Sequence, residues 1–351
     1  MLRNPFFAAV LAWYCPGFAL DIAGKVVDKK FAPLPGAKVC AQNQPAVCVV
    51  SAADGTFRFQ GNVGLQQPGT AGPFPMSPRL FNSAGQSVAP DPGGPVFARG
   101  PMSPLAAPLA KAAAPAALVL SRPGFADAVY QPGSETESGI RVLLGGEGES
   151  VFMPFNGKTL ADWTQIPAAS WVVKDGVMSS TGAGRGVLWF KDDFADFRVI
   201  FSVRQVKYDH WPCVLFFTTR PPEGQKGLDA LGAVQWQAPS SNTWDYRPGK
   251  NNSGSAYYTQ IAKAAIVRTQ WAQCELLVSS AKGEARMASC QQNAAGDAPC
   301  KAVEVLRFKD PATIGKKGPF AIQMHNGGII DEYKDISIEV NPKSDSLYLT
   351  R

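Results

Sequence analysis

Hydrophobic and polar residues alternate over short runs along most of this chain, and turn-forming residues separate the runs. Near the start, the runs cover 22–27, 37–40, 47–51 and 57–59, with Asp54-Gly55 as a strong turn signal before the last. Farther on they recur at 171–173, 187–190, 197–203, 214–219, 233–237, 274–279, 303–308, 320–325 and 336–340. No segment keeps the 3.6-residue period of an amphipathic helix over three turns. The pattern predicts an all-β chain: an N-terminal β-sandwich followed, from about residue 151, by a larger two-sheet sandwich of jelly-roll type.

The alternation fails between about 61 and 115, where Pro, Gly and Ala dominate. Such a stretch buries too little apolar surface to order itself, so it reads as a long insertion in the first domain, with one hairpin at 79–88. The expected organisation is a signal segment 1–19, a first domain 20–146, a linker 147–150 and a second domain 151–351.

Composition narrows the picture. With 351 residues, 45% hydrophobic and 18% charged, the chain suits two compact domains. The net charge of +6 is dispersed, Lys29-Lys30 and Lys316-Lys317 being the notable basic pairs, which argues against nucleic acid as a partner. The first nineteen residues have the layout of an export signal: Arg3, an apolar run 6–13, a Pro16-Gly17 break, and small residues at Gly17 and Ala19. The run is shorter than the ~20 residues a membrane span needs. A lipid-anchor reading of Cys15 meets the bulky Trp13-Tyr14 before it. The expected location is secreted, periplasmic or cell-surface.

Six further cysteines suit that compartment as disulfides. A hairpin centred on Gln44 sets Cys40 opposite Cys48. Cys290 can close a short loop with Cys300, or bridge a hairpin to Cys274, and spacing alone leaves both open. No CxxC pair or histidine has zinc spacing.

Chemistry-bearing residues are few. His210 and His325 are the two histidines, and His325 ends a run that leads into Asn326-Gly327-Gly328. Its intrinsic pKa suits a base or metal ligand, while the plainer alternative is a strand-end histidine bonded to a backbone carbonyl. His210, beside Trp211, is either a packing residue or a ligand neighbour. Trp236, Trp244 and Tyr246, with Gln235, Gln237, Asp245 and Arg247, combine flat apolar faces with hydrogen-bonding groups, as a carbohydrate site requires. Strand alternation puts Gln235 and Gln237 on one face and Trp236 in the core, with Trp163 and Trp171 also expected in the core. A Gly-x-Ser-x-Gly elbow and a Glu-x-Asp-x-x-Glu carboxylate motif are both missing.

Landmarks in order through the second domain carry a family resemblance. They are Phe155-Asn156-Gly157-Lys158-Thr159-Leu160-Ala161-Asp162-Trp163, then Trp171-Val172-Val173-Lys174-Asp175-Gly176-Val177, then Phe194-Ala195-Asp196-Phe197-Arg198-Val199. The last is Gly318-Pro319-Phe320-Ala321-Ile322-Gln323-Met324-His325, followed by 333–338. They resemble the 3-keto-disaccharide hydrolase domain, a concanavalin-like jelly roll. The resemblance implies cleavage of glycosides oxidised at C3: the ketone acidifies the C2 hydrogen, a base removes it, the glycosidic oxygen leaves, and water adds back. It implies roles for His325, Gln323 and Gln235, and an acid or a divalent metal ion for the leaving oxygen. Ala233 stands where the family has a glutamate, and His210-Trp211-Pro212-Cys213 replaces an Asn-Ser-Gly. A non-catalytic carbohydrate-binding or adhesion module is therefore the alternative function.

The first domain has landmarks of its own: Ile22-Ala23-Gly24-Lys25-Val26-Val27-Asp28, Pro35-Gly36-Ala37-Lys38-Val39 and Ala53-Asp54-Gly55-Thr56-Phe57, with Leu118-Val119-Leu120-Ser121-Arg122-Pro123-Gly124-Phe125 later. These resemble the carboxypeptidase regulatory-like domain, a small immunoglobulin-like sandwich.

Overall fold

The computed structural model describes residues 18–63, 80–81, 87–88, 115–207, 210–225, 227–250 and 256–351. Most of the expected signal segment and most of the 61–115 insertion lie outside these residues, although Leu80–Phe81 and Ser87–Val88 do pair as the expected hairpin. The described residues form β-sandwiches, and their only helical turns are the short 3-10 turns Asp229–Gly232 and Pro311–Thr313.

In the N-terminal part, Phe18–Val27 lies between Thr56–Val63, antiparallel, and Thr136–Leu143, parallel. The facing sheet runs Gln44–Val50, Lys38–Ala41, Leu118–Ser121 and Ala128–Tyr130, then the 80–88 hairpin. The alternation of each strand sends one face inward, so Leu20, Ile22, Phe57, Phe59, Val39, Leu118 and Leu120 close a core of their own. Cys40 and Cys48 are directly opposed and joined. The turn sits at Gln42-Asn43 rather than at Gln44, because Ala41 pairs with Gln44 and a bulge in the return strand restores the Cys40–Cys48 register.

The larger sandwich packs a nine-stranded sheet on a six-stranded one. All nine expected strand segments overlap its strands, although the run expected at 214–219 stops as a strand at Phe216, where Phe217 turns at positive φ, and the jelly-roll expectation holds. The six-stranded sheet runs Trp163–Ile166, Gly186–Phe194, Gly318–Met324, Cys213–Phe216, Val234–Gln237, Asn242–Asp245. Its inner face supplies Leu188, Phe190, Phe320, Ile322, Val214, Phe216, Val234 and Trp236 to the core, against Phe201, Leu276, Met287 and Tyr333 of the other sheet. Trp163 and Trp171 are buried there as expected.

One half of the outer face of that sheet is not open. Residues 227–233 fold back across it, and Ala230 and Leu231 pack on Trp189, Leu215, Ala233 and Ala321. This plug follows a tight path, since Ala230 and Leu231 hold left-handed φ values of 44° and 57°.

Cys290 bonds to Cys300. Cys274 faces the core while its cross-strand partner is Ser289, so Cys290, one residue on, points to the opposite face, and a Cys274–Cys290 bridge is excluded. Cys213 and Cys274 are free and buried.

Candidate functional site

Directly opposed residues in an antiparallel sheet share a face, so the register defines what the outer face presents beside the plug. Gln323 pairs with Cys213 and with Val187, Cys213 pairs with Gln237, and Gln235 pairs with Trp244. Two residues on along their strands, His325 and Tyr246 continue the same face. Gln235, Gln237, Gln323, His325, Trp244 and Tyr246 therefore share one surface. Trp236, between the glutamines, turns into the core.

The amides form a chain. Gln237 Nε2 donates to Gln235 Oε1 at 3.3 Å, and Gln235 Nε2 donates to Gln323 Oε1 at 2.5 Å. Gln323 Nε2, although fully buried, makes no well-formed hydrogen bond, the Tyr246 phenol being the side chain within its reach. His325 Nδ1 likewise makes none, with the Asn326 side chain beside the ring. Buried polar atoms without a well-formed bond are rare in folded proteins, and two of them two residues apart mark a place where a ligand or water completes the bonding.

His210 reaches the same place from the loop before Cys213. Its ring stacks on that of His325 with centroids 4.0 Å apart and planes at 15°. Trp211 O lies 2.8 Å from His210 Nδ1, and the His210 N–H donates to buried Gln205, which also reaches buried Asp331. Burial, the adjacent His210 and the Arg185 guanidinium push the His325 pKa down from 6.5 to about 4, so its imidazole is neutral at physiological pH. Burial raises the Tyr246 phenol and, more strongly, the Cys213 thiol, so both keep their protons.

Sequence reasoning missed Arg185. It sits in the run Thr181-Gly182-Ala183-Gly184-Arg185-Gly186, whose glycine content was the available signal. Its guanidinium lies 5.3 Å from the Tyr246 ring centroid, donates to the His325 carbonyl at 3.4 Å and forms a two-pronged pair with Asp229 of the plug.

Arg247 does not join the site. It forks onto Asp245 at 2.9 and 2.7 Å, pairs with Asp310 at 2.8 Å, and packs on Tyr257 and Phe308. Its expected ligand-binding role is corrected to a structural one, because both ends of the guanidinium are engaged in a buried ion pair. Ala233, where the sequence resemblance implies a glutamate, does face the outer surface but is buried in the plug cluster.

A divalent ion does not fit these residues. Among the described residues no three His, Cys, Asp or Glu side chains are grouped to hold one, and the two imidazoles stack ring on ring instead of converging their nitrogens. The site offers a neutral imidazole, amide donors, a phenol and a guanidinium.

Solved structures similar to the chain include a protein from Parabacteroides distasonis ATCC 8503 assigned as a glycosyl hydrolase, at 14% identity and TM-score 0.37, covering 54% of this chain and 98% of that one. The carbohydrate-binding module CBM66 from Bacillus subtilis matches at 10% identity and TM-score 0.36, covering 51% and 95%. A B. subtilis protein with a galectin-like fold matches at 10% identity and TM-score 0.36, covering 52% and 90%. No curated protein sequence matches the chain. The model of the 3-keto-alpha-glucoside-1,2-lyase-like domain matches residues 153–339, more than half of the sequence and nearly all of the larger sandwich, and the chain belongs to that family.

Proposed function

We propose that the outer face of the six-stranded sheet beside the plug binds a 3-keto-glycoside and that His325 acts there as the base of an elimination and hydration reaction. The observation that carries this reading is the pair of buried atoms without a well-formed hydrogen bond, Gln323 Nε2 and His325 Nδ1, beside Tyr246 and Arg185. A carbonyl oxygen accepts from the Gln323 amide, while a neutral imidazole accepts the proton at the adjacent carbon. The C2 proton passes to His325, its electron pair forms the C1–C2 double bond, and the C1–O bond breaks. The departing oxygen takes a proton from Tyr246. Water then adds its oxygen to C1 and gives one proton back to Tyr246, while His325 returns its proton to C2. Half-buried Trp244 supplies a flat face for a sugar ring.

Incubating the full chain with a 3-keto-glycoside tests this. Release of the aglycone is expected, unaffected by EDTA, and reduced about 10²- to 10⁴-fold in His325→Gln, the usual weight of a general base. Unchanged turnover in His325→Gln removes the assigned chemistry.

A second reading has its own support. With Ala233 buried in the plug cluster with Leu231, the position where the resemblance implies a carboxylate is closed, which favours a site that binds sugar without turning it over. Binding with no aglycone release would establish that reading.

The two disulfides suit an exported protein, and the N-terminal signal-like segment agrees with them. We place the immunoglobulin-like assignment of the N-terminal sandwich in the same proposal. Secretion of the full-length chain with loss of about its first nineteen residues, read by mass spectrometry, tests export.

A further inference from the structure

The Arg185–Asp229 pair stands at the mouth of the site. Nε donates to Oδ1 at 3.0 Å and Nη2 to Oδ2 at 2.9 Å, the fork-on-fork arrangement by which a guanidinium recognises any carboxylate. The two partners are held unequally. Arg185 is anchored from the site side by the Tyr246 ring and the His325 carbonyl. The Asp229 side chain is 63% exposed and begins the plug's 3-10 turn, between Gly227 and Gly232, both at positive φ. An exposed ion pair of this kind is weak, and its carboxylate can swing into water at little cost. Arg185 cannot leave as easily. The remaining groups on the face, the three glutamines, the imidazoles and the phenol, carry no negative charge to compete for it.

We infer that Asp229 is an internal stand-in for a carboxylate of the ligand, and that the sugar taken by this site is an acidic one, a uronic or aldonic acid unit whose carboxylate forks onto Arg185. This rests on the proposed sugar site and specifies its substrate class. In the bound state Asp229 turns to solvent and the ligand carboxylate accepts from Nε and Nη2, while the ring lies towards Trp244 and the buried Gln323 and His325 nitrogens.

The test is a titration of the full chain with methyl glucuronide, methyl glucoside and acetate, followed by NMR. The glucuronide is expected to bind at least tenfold more tightly than the glucoside, and the gap should shrink as salt is raised. Asp229→Asn, which removes the competing charge, should widen the gap several-fold, and Arg185→Gln should erase it in a protein whose melting temperature is retained. Equal affinity for glucuronide and glucoside overturns the acidic-sugar inference while leaving a sugar site standing. Acetate binding as tightly as glucuronide overturns it as well. Failure of every glycoside, including the 3-keto-glycoside of the preceding test, removes the sugar site and the inference together.

Discussion

His325 titrates far from its usual range because of what surrounds it. Burial, the stacked His210 ring and Arg185 all disfavour the imidazolium, and the pKa falls to about 4. The unfolded chain, with a histidine near 6.5, therefore binds the proton first as pH drops. The sign follows: this residue lowers stability progressively as pH falls from about 6.5 towards 4, and adds no pH dependence above that window. NMR titration of the His325 ring should give a midpoint near 4, rising towards 6.5 in His210→Ala as the stacked ring and some of the burial are removed. A midpoint near 6.5 in the unmodified protein would contradict the stacked, buried geometry. Turnover, if His325 is the base, should stay flat from pH 8 down to about 5 and fall below it.

At the scale of elements, the plug decides how much of the sheet is available. The glutamate that the resemblance implies for position 233 would be buried in the plug cluster with Leu231 in this chain, so Ala233→Glu should not restore a carboxylate to the site. It should destabilise the fold by several kcal/mol, the cost of burying an unpaired charge, as read by urea unfolding. A stable Ala233→Glu with increased turnover would show that the plug moves aside. The strands themselves were legible in sequence because each needs only a period of two and a turn at either end. Alternation also separated Trp236 from its neighbouring glutamines. By parity it also separates Arg247 from Trp244 and Tyr246, so nearness to them in sequence does not put it on their face. The plug left no such mark, since 227–233 follows neither period and its conformation is set by packing against the finished sheet. Arg185 was hidden similarly: a glycine-rich loop shows where a chain turns, and only the folded register shows that it turns beside His325.

The whole molecule is tied together on the opposite face. Residues 344–351 lie across the outer surface of the nine-stranded sheet, where Leu347 and Leu349 pack on Ile200 and Leu277. Arg198, fully buried, pairs with Glu275 at 2.8 Å and with Glu339, and donates to the carbonyls of Ser344 and Ser346 at 2.9 Å. The Tyr348 ring is covered by Arg198 at 3.6 Å and by Lys29 at 3.7 Å, and Lys29 in turn pairs with Glu149 in the expected linker. This network joins the N-terminal sandwich, the linker and the C-terminus. Arg198→Met should cost about 3–5 kcal/mol in denaturant unfolding, because Glu275 is left charged and buried; a loss below 1 kcal/mol would show that the network contributes little.

The central claim is that His325 removes a proton from carbon beside a ketone. Exchange at C2 of a 3-keto-glycoside in D2O, followed by NMR, reports that proton directly, before and independently of aglycone release. Deuterium should enter C2 well above the buffer rate with the unmodified protein, and incorporation should fall to the buffer rate in His325→Gln. Ligand binding with C2 exchange no faster than in buffer would contradict it and leave a sugar-binding protein without chemistry.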